Sequence, residues 1–304
     1  MRRVTLGGTG IETSALGFGC ASLGSRVDAA AGRRALEEAH AAGVTWFDLA
    51  PVYGGGAAEA IAAPFLAAHR GSVQVCTKAG LTLAGGPGGG LRRRLMPLAR
   101  RALGLAGPLG ARLRRAGVRG PAANAKAPLT PDLLTGSLEA SLRRLGIDHV
   151  DLFALHAPDP AEVGRDDIVR ALEAILATGK ARAVAVAGDA AAAAAALAAG
   201  APYGVVQLAL PAEREPDGLG VLEAARAAGL GAVTHSVFAA AGATPGSAPD
   251  AAPGAGRLAR AFGLNPDGVV LVSMLSARSR AATLAATEAA TGAATGAAAA
   301  DPPA

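Results

Sequence analysis

The sequence predicts an α/β fold, a (β/α)8 TIM barrel with an N-terminal β-hairpin and a basic insertion after the third strand. Two observations predict it. Short apolar, β-branched runs alternate with Ala- and Leu-rich helical stripes, and eight such strands can be counted at the spacing of βα units, which favours a closed barrel over an open sheet. Three successive strand ends, the second to the fourth, carry a titratable group: Asp48, Lys78 and His156. In a βα barrel every strand end of this kind faces the same rim.

In chain order, Val4 to Leu6 and Ile11 to Thr13 flank the glycine turn GGTG and read as the hairpin. Ala15 to Gly19 is the first inner strand. The run from Gly17 to Gly24 is a near miss for GxGxxG, and it lacks a βαβ unit with a ribose-binding acid at the expected distance, so a Rossmann domain is rejected. Asp28 caps a helix to about Ala42 with Ala35, Leu36 and Ala39 inward. Val44 to Phe47 is the second strand, closed by Asp48. Pro51 and Gly54 to Gly56 forbid regular structure, which puts Tyr53 in a strand-to-helix loop. A helix near 57–68 is expected to kink or shorten at Pro64. Val73 to Thr77 leads to Lys78. Thr130 caps a helix over 131–145 whose stripe is Leu134, Leu138, Leu142 and Leu145. Val150 to Leu155 leads to His156. The remaining pattern predicts helices over 165–178, 190–199, 217–228 and 257–263, strands over 182–187, 204–208, 231–234 and 269–272, a loop over 239–256, and a last helix from Ser279. The domain reading is one barrel over 1–290 and a low-complexity tail over 291–304.

Composition narrows the class. Hydrophobic residues make up 51% and aromatics 3%, so Leu, Val and Ala must fill the core. Cys20 and Cys76 lie in apolar contexts without CxxC spacing, which argues against a zinc site and a disulfide framework and fits a reducing, cytoplasmic setting. No apolar run has the length and helical character of a membrane span. The net charge of +5 is local: residues 85–127 hold nine arginines and Lys126 with no acid, which leaves the rest of the chain at −5. That segment reads as a solvated loop, with basic helices around 91–105 and 109–116; as a lid, or a patch for acidic substrates or a membrane surface, it would act through its arginines. Nucleic acid is disfavoured because no aromatics are interleaved for base stacking.

At one rim, Asp48, Tyr53, Lys78 and His156 suit proton transfer. An ammonium near a phenol favours phenolate and lowers its pKa, Asp48 would hold Lys78 charged and aimed, and His156 would hydrogen-bond a substrate carbonyl oxygen. A phenol exchanging a proton with an oxygen while the adjacent carbon gains or loses hydride is what nicotinamide-dependent carbonyl reduction requires.

The sequence resembles the aldo-keto reductase superfamily over nearly its full length, through GTGIETSALGFGC, GVTWFDLAPVYGGGAAE, VCTKAG, SLEASLRRLGIDHVDLFALHAPDP, LEAILATGKARAVAV, YGVVQL, GLGAVTHSVFAAAG and GVVLVSMLSARS. The resemblance implies a catalytic tetrad of Asp48, Tyr53, Lys78 and His156, and NADP or NAD bound across the barrel mouth, with NADP mildly preferred. It implies cofactor contacts at Gln207 for the nicotinamide carboxamide, His235 and Ser236 near the ring and pyrophosphate, and Ser273, Met274, Ser276, Ser279 and Arg280 around the adenosine phosphate. Gly188-Asp189 replaces a usual Ser-Asn pair, a glycine shared with some sugar-lactol dehydrogenases, and Ala282-Thr283 replaces a usual Glu-Asn pair. The function implied is an NAD(P)-dependent oxidoreductase of small-molecule carbonyls or sugars. The alternative is a dinucleotide-binding, weakly catalytic module for redox sensing or partner binding. Pocket candidates are Cys20, Trp46, Val52, Phe153 and the basic insertion; the oligomeric state is left open.

Overall fold

The computed structural model describes residues 1–83, 124–210, 216–238 and 254–297. Two compact units divide the chain, Met1–Gly80 with Pro128–Ala304, and Leu81–Ala127.

The first unit opens with the antiparallel hairpin of β1 (Arg3–Thr5) and β2 (Glu12–Ser14). The barrel strands in it are β3 (Leu16–Gly19), β4 (Trp46–Asp48), β5 (Gln74–Ala79), β8 (Val150–His156), β9 (Ala181–Gly188), β10 (Tyr203–Ala209), β11 (Gly231–His235) and β12 (Val269–Val272). All pair in parallel, and they close in that order with β12 returning to β3. This is the eight-stranded barrel the alternating pattern predicts. In the second unit, β6 (Leu81–Thr82) pairs antiparallel with β7 (Ala125–Lys126).

Nine helices follow from local signals: α1 (Ala29–Ala41), α2 (Ala58–His69), α3 (Pro131–Leu145), α4 (Pro160–Val163), α5 (Asp166–Ala177), α6 (Ala190–Ala199), α7 (Pro216–Ala227), α8 (Ala255–Leu264) and α9 (Ala277–Ala297) among the described residues. α3 is the clearest case. The Thr130 side chain accepts from Leu133 N, Pro131 supplies the pre-set first turn, and Gly146 ends the helix at φ 69°, a left-handed value that a Cβ would penalise. Its stripe of Leu134, Leu138, Leu142 and Leu145 is buried as the spacing requires.

Three elements depart from the sequence reading. α2 runs unbroken through Pro64, because Pro64 and the Ala60 carbonyl it leaves unbonded both sit on the solvent face, where water can replace the lost bond. The short α4 is unforeseen, though its capping box of Asp159 and Glu162 is written in the sequence. α9 starts at Ala277 rather than Ser279 and continues past Thr291 to Ala297. The expected helices around 91–105 and 109–116, most of the basic segment, most of the 239–256 loop and the last seven residues lie outside the described residues.

Alternation along the strands sorts the core. Phe47 points outward, stacks with Phe18 and meets Phe65 of α2 at a tilt, at ring centroid distances of 6.0 and 4.7 Å. Trp46, fully buried, points into the barrel on the same side as Asp48. Phe153 lies in register with Thr77 on the outer face, which removes it from the pocket candidates. At the opposite end from the rim, Gly7 (φ 50°) places its backbone where a Cβ would lie 2.3 Å from Gly231 N, so the hairpin turn seats directly on the start of β11. Buried Asp151 accepts from Val75 N and pairs with Arg70 and Arg182, fixing β8 against β5 and β9. Among the described residues no helix is long and apolar enough to cross a membrane.

These contacts set distinct stability costs. Leu138→Ala should lower the unfolding free energy by about 2–5 kcal/mol through a cavity under α3, while Thr130→Ala should cost about 1 kcal/mol through the lost cap. Urea denaturation of both variants measures the difference; equal effects would contradict the burial of this stripe.

Candidate active site

Asp48 is the last residue of β4, 2% exposed, in register with Gly19 of β3 and Cys76 of β5. Lys78 lies two residues beyond Cys76 on the same inward face and is 1% exposed. Its Nζ donates to Asp48 Oδ1 at 2.6 Å and to the Leu49 carbonyl at 2.9 Å. Tyr53 enters from the following 3-10 turn (Tyr53–Gly55). Its hydroxyl donates to the same Asp48 oxygen at 3.4 Å, and Lys78 Nζ stands 4.8 Å from its ring centroid. Gly54, Gly55 and Gly56 all have left-handed backbones, and a Cβ on Gly54 would fall 1.7 Å from the Leu23 carbonyl oxygen. Only glycine lets this loop lie so low over the rim.

The second Asp48 oxygen, Oδ2, accepts from Gln207 Nε2 at 3.0 Å. Because a carboxylate can only accept, this bond orients the amide and leaves Gln207 Oε1 as a buried acceptor with no partner. His156 ends β8 and meets Tyr53 edge-on, ring centroids 5.8 Å apart at 87°. His235 ends β11, its Nδ1 within 2.8 Å of Ser236 Oγ. The residues after these two imidazoles, Ala157 (φ 52°) and Ser236 (φ 63°), have positive φ without being glycine. Strained backbone of this kind persists where the surroundings hold it, and it gathers at functional sites.

Electrostatics corrects one expectation. Burial raises the Tyr53 pKa above the ordinary phenol value, and the lowering by Lys78 does not overcome it, with Asp48 adding to the rise. The sequence places a lysine where it lowers the phenol's pKa; the net shift is up because burial of the phenol exceeds that lowering, and Asp48 offsets part of the ammonium's field. Burial works most strongly against the Lys78 ammonium, yet Asp48, Cys76 and Tyr53 together outweigh it and Lys78 stays charged. Burial pushes His156 down to about 3, helped by Lys78 and then His235. His235 is pushed down to about 4 by burial, which Asp48 opposes and Lys78 assists. Both imidazoles are therefore neutral near pH 7.

The remaining sequence-derived positions divide. Gly188 is half-buried beside Pro158, and Asp189 is exposed and caps α6 through Ala192 N. Ser273 is exposed, its hydroxyl donating to the Gly19 carbonyl at 3.0 Å. Ser276 caps α9 by accepting from Ser279 N, and the Ser279 hydroxyl donates back to the Ser276 carbonyl. Met274 is fully buried. Arg280 turns inward: it donates to the Met274 and Leu275 carbonyls and pairs with Glu38 of α1, while Arg278 is exposed. Two neighbours of the ion pair escaped the sequence reading. Inward alternation from Lys78 could have found Cys76; no side-chain pattern could reveal the Leu49 carbonyl as the ammonium's second acceptor.

The family model described as Aldo/keto reductase family matches residues 15–294. The chain is 30% identical over 194 residues to 6-dehydroglucose reductase of Agrobacterium fabrum (strain C58), covering 61% of this chain and 53% of that protein. The chain thus spans about half the length of the curated relatives it matches. Among solved structures, an aldo-keto reductase from Bacillus halodurans in its holo form superposes with a TM-score of 0.69 at 18% identity, over 95% of this chain and 91% of that one.

The lowered histidines predict how stability depends on pH. Between the unfolded value of about 6.5 and the folded values of about 3 and about 4, the unfolded chain binds protons that the folded chain does not. Stability should therefore fall as pH falls through that window, and His156→Asn should flatten the slope. Urea midpoints taken across the range test this; an unchanged slope would mean that His156 is not held neutral.

Proposed function

The chain belongs to the aldo/keto reductase family, and on that premise we propose that it is an NAD(P)-dependent oxidoreductase interconverting a carbonyl and an alcohol, with Tyr53 as general acid and base. One observation carries the reading: the phenol of Tyr53 and the ammonium of Lys78 share a single oxygen of buried Asp48 at the C-terminal rim of the barrel. Gln207 Oε1, buried and unpartnered, fits a nicotinamide carboxamide N–H₂, so Gln207 would hold that end of the cofactor. Ser236, Ser273 and Ser276, with exposed Arg278, are candidates for its phosphates. Arg280 is engaged by Glu38 and contributes through the backbone it braces. When bound, a nicotinamide supplies or accepts the hydride.

The chain's own groups move the proton. A raised pKa keeps Tyr53 protonated at neutral pH, the form that donates to a carbonyl oxygen as the adjacent carbon is reduced. Lys78, permanently charged, offsets the negative charge that develops on the phenol oxygen. Neutral His156 keeps one ring N–H to donate to the substrate oxygen. In the direction of alcohol oxidation the phenolate is required, and its scarcity makes that direction the more alkaline one.

The substrate is proposed to be a small polar carbonyl compound, an aldehyde, ketone or sugar lactol, and the sugar class gains weight from the 6-dehydroglucose reductase relative. Two free, buried thiols suit a reducing compartment, and the proposed location is cytoplasmic.

Purified protein with NADPH or NADH and a panel of aldehydes and sugars provides the test. Tyr53→Phe should lower the reduction rate by at least about 10² with cofactor affinity unchanged. Reduction should be flat through neutral pH, whereas oxidation should rise with pH. No rate above that of Tyr53→Phe on any substrate would leave only the dinucleotide-binding module. Trp46, the single tryptophan, lies beneath Asp48, and its fluorescence should change on titration with NADPH or NADH; indifference to both would count against a cofactor at this rim.

A further inference from the structure

Outside the rim, one buried acid has no part in the chemistry described so far. Glu59, in the first turn of α2, is 1% exposed and lies on the outer side of the barrel wall. Its Oε1 accepts from Thr77 Oγ1 at 2.7 Å, and its Oε2 accepts from Arg144 Nε of α3 at 2.5 Å. Arg144 also donates to buried Ser141 at 3.0 Å, and its side chain is 36% exposed. Thr77 immediately precedes Lys78, so one carboxylate reaches from the helix that follows Tyr53 to the strand that carries Lys78.

The placement is unusual on energetic grounds. A buried ion pair adds little stability compared with apolar side chains of the same volume, because desolvation consumes most of the Coulomb attraction. What it adds is direction: the bond from Thr77 ties α2 to the strand, and the bond from Arg144 of α3 holds the carboxylate in the orientation that accepts it. Direction is what this segment lacks. Between Tyr53 and α2 the chain is three left-handed glycines, which have no side chains to brace them and the widest backbone freedom, followed by Ala57. On one side the loop is held by the Gly54 N–H to the Ala21 carbonyl at 3.2 Å. On the other side, the first side-chain bond to the barrel wall after Tyr53 is that of Glu59.

We infer that Glu59 is a positioning residue: through Thr77 it ties the Tyr53 loop to the Lys78 strand and so sets where the phenol stands relative to the ammonium. Its consequence for catalysis rests on the function proposed above, but the placement itself does not.

The two are separable by experiment. The chain has two tyrosines, Tyr53 and Tyr203, so isotopically labelled tyrosine gives two ring signals in NMR. Thr77→Val removes the hydroxyl while keeping shape, and Thr77→Ser keeps the hydroxyl. In the 304-residue chain, Thr77→Val should move the Tyr53 signal and leave that of Tyr203 in place, Thr77→Ser should return it, and Glu59→Gln, which retains an acceptor for Thr77 but discharges the pair with Arg144, should move it less. A Tyr53 signal unaltered in Thr77→Val, or one moved together with that of Tyr203, overturns the inference. In the same variants kcat for carbonyl reduction should fall roughly 10- to 100-fold in Thr77→Val with cofactor Kd unchanged and recover in Thr77→Ser. A moved Tyr53 signal in a protein whose wild type reduces no carbonyl would uphold the positioning role and reject the proposed activity.

Discussion

The ion pair between Asp48 and Lys78 is the constraint on which the upper half of the barrel depends. Both charges are removed from water, a cost that Coulomb attraction alone does not reliably repay. The pair is tolerable because its remaining valences are met: Lys78 reaches the Leu49 carbonyl, and the two Asp48 oxygens take Lys78, Tyr53 and Gln207 between them. Strand β4 and strand β5 can supply these groups only in one register, Asp48 opposite Cys76 with Lys78 one inward step further. A slip of one residue would turn the ammonium out of the barrel and leave a naked carboxylate inside.

From that pair outward, position rather than residue type decides what each group can do. Two histidines at strand ends become neutral donors because burial, helped by a neighbouring ammonium, forbids a second positive charge. A glutamine becomes a one-sided acceptor because its amide nitrogen is held by Asp48. Two serines and an arginine in the β12 to α9 segment serve the segment itself, capping the helix and bracing its entry.

Much of this was legible in the sequence because it is written locally. Caps at Asp28 and Thr130, the leucine stripe of α3, and the charged strand ends each need only a few neighbouring residues to be read. What escaped depends on distance or on solvent. The inward turn of Arg280 is set by Glu38, 242 residues away in the chain. The sign of the Tyr53 shift turns on burial, whereas sequence spacing announces only the nearby lysine. The continuity of α2 through Pro64 depends on which face meets water, and the alanine-rich pattern of that helix marks its faces weakly.

Cys20 and Cys76 stand within the field of the same pair, both fully buried, and burial pushes each thiol well above its usual value. Sulfur that cannot ionise is a poor target for peroxide, and sulfur without solvent contact cannot meet a second thiol. The rim is thus built around two thiols kept chemically silent, which deprives a thiol-based sensing role of its reagent.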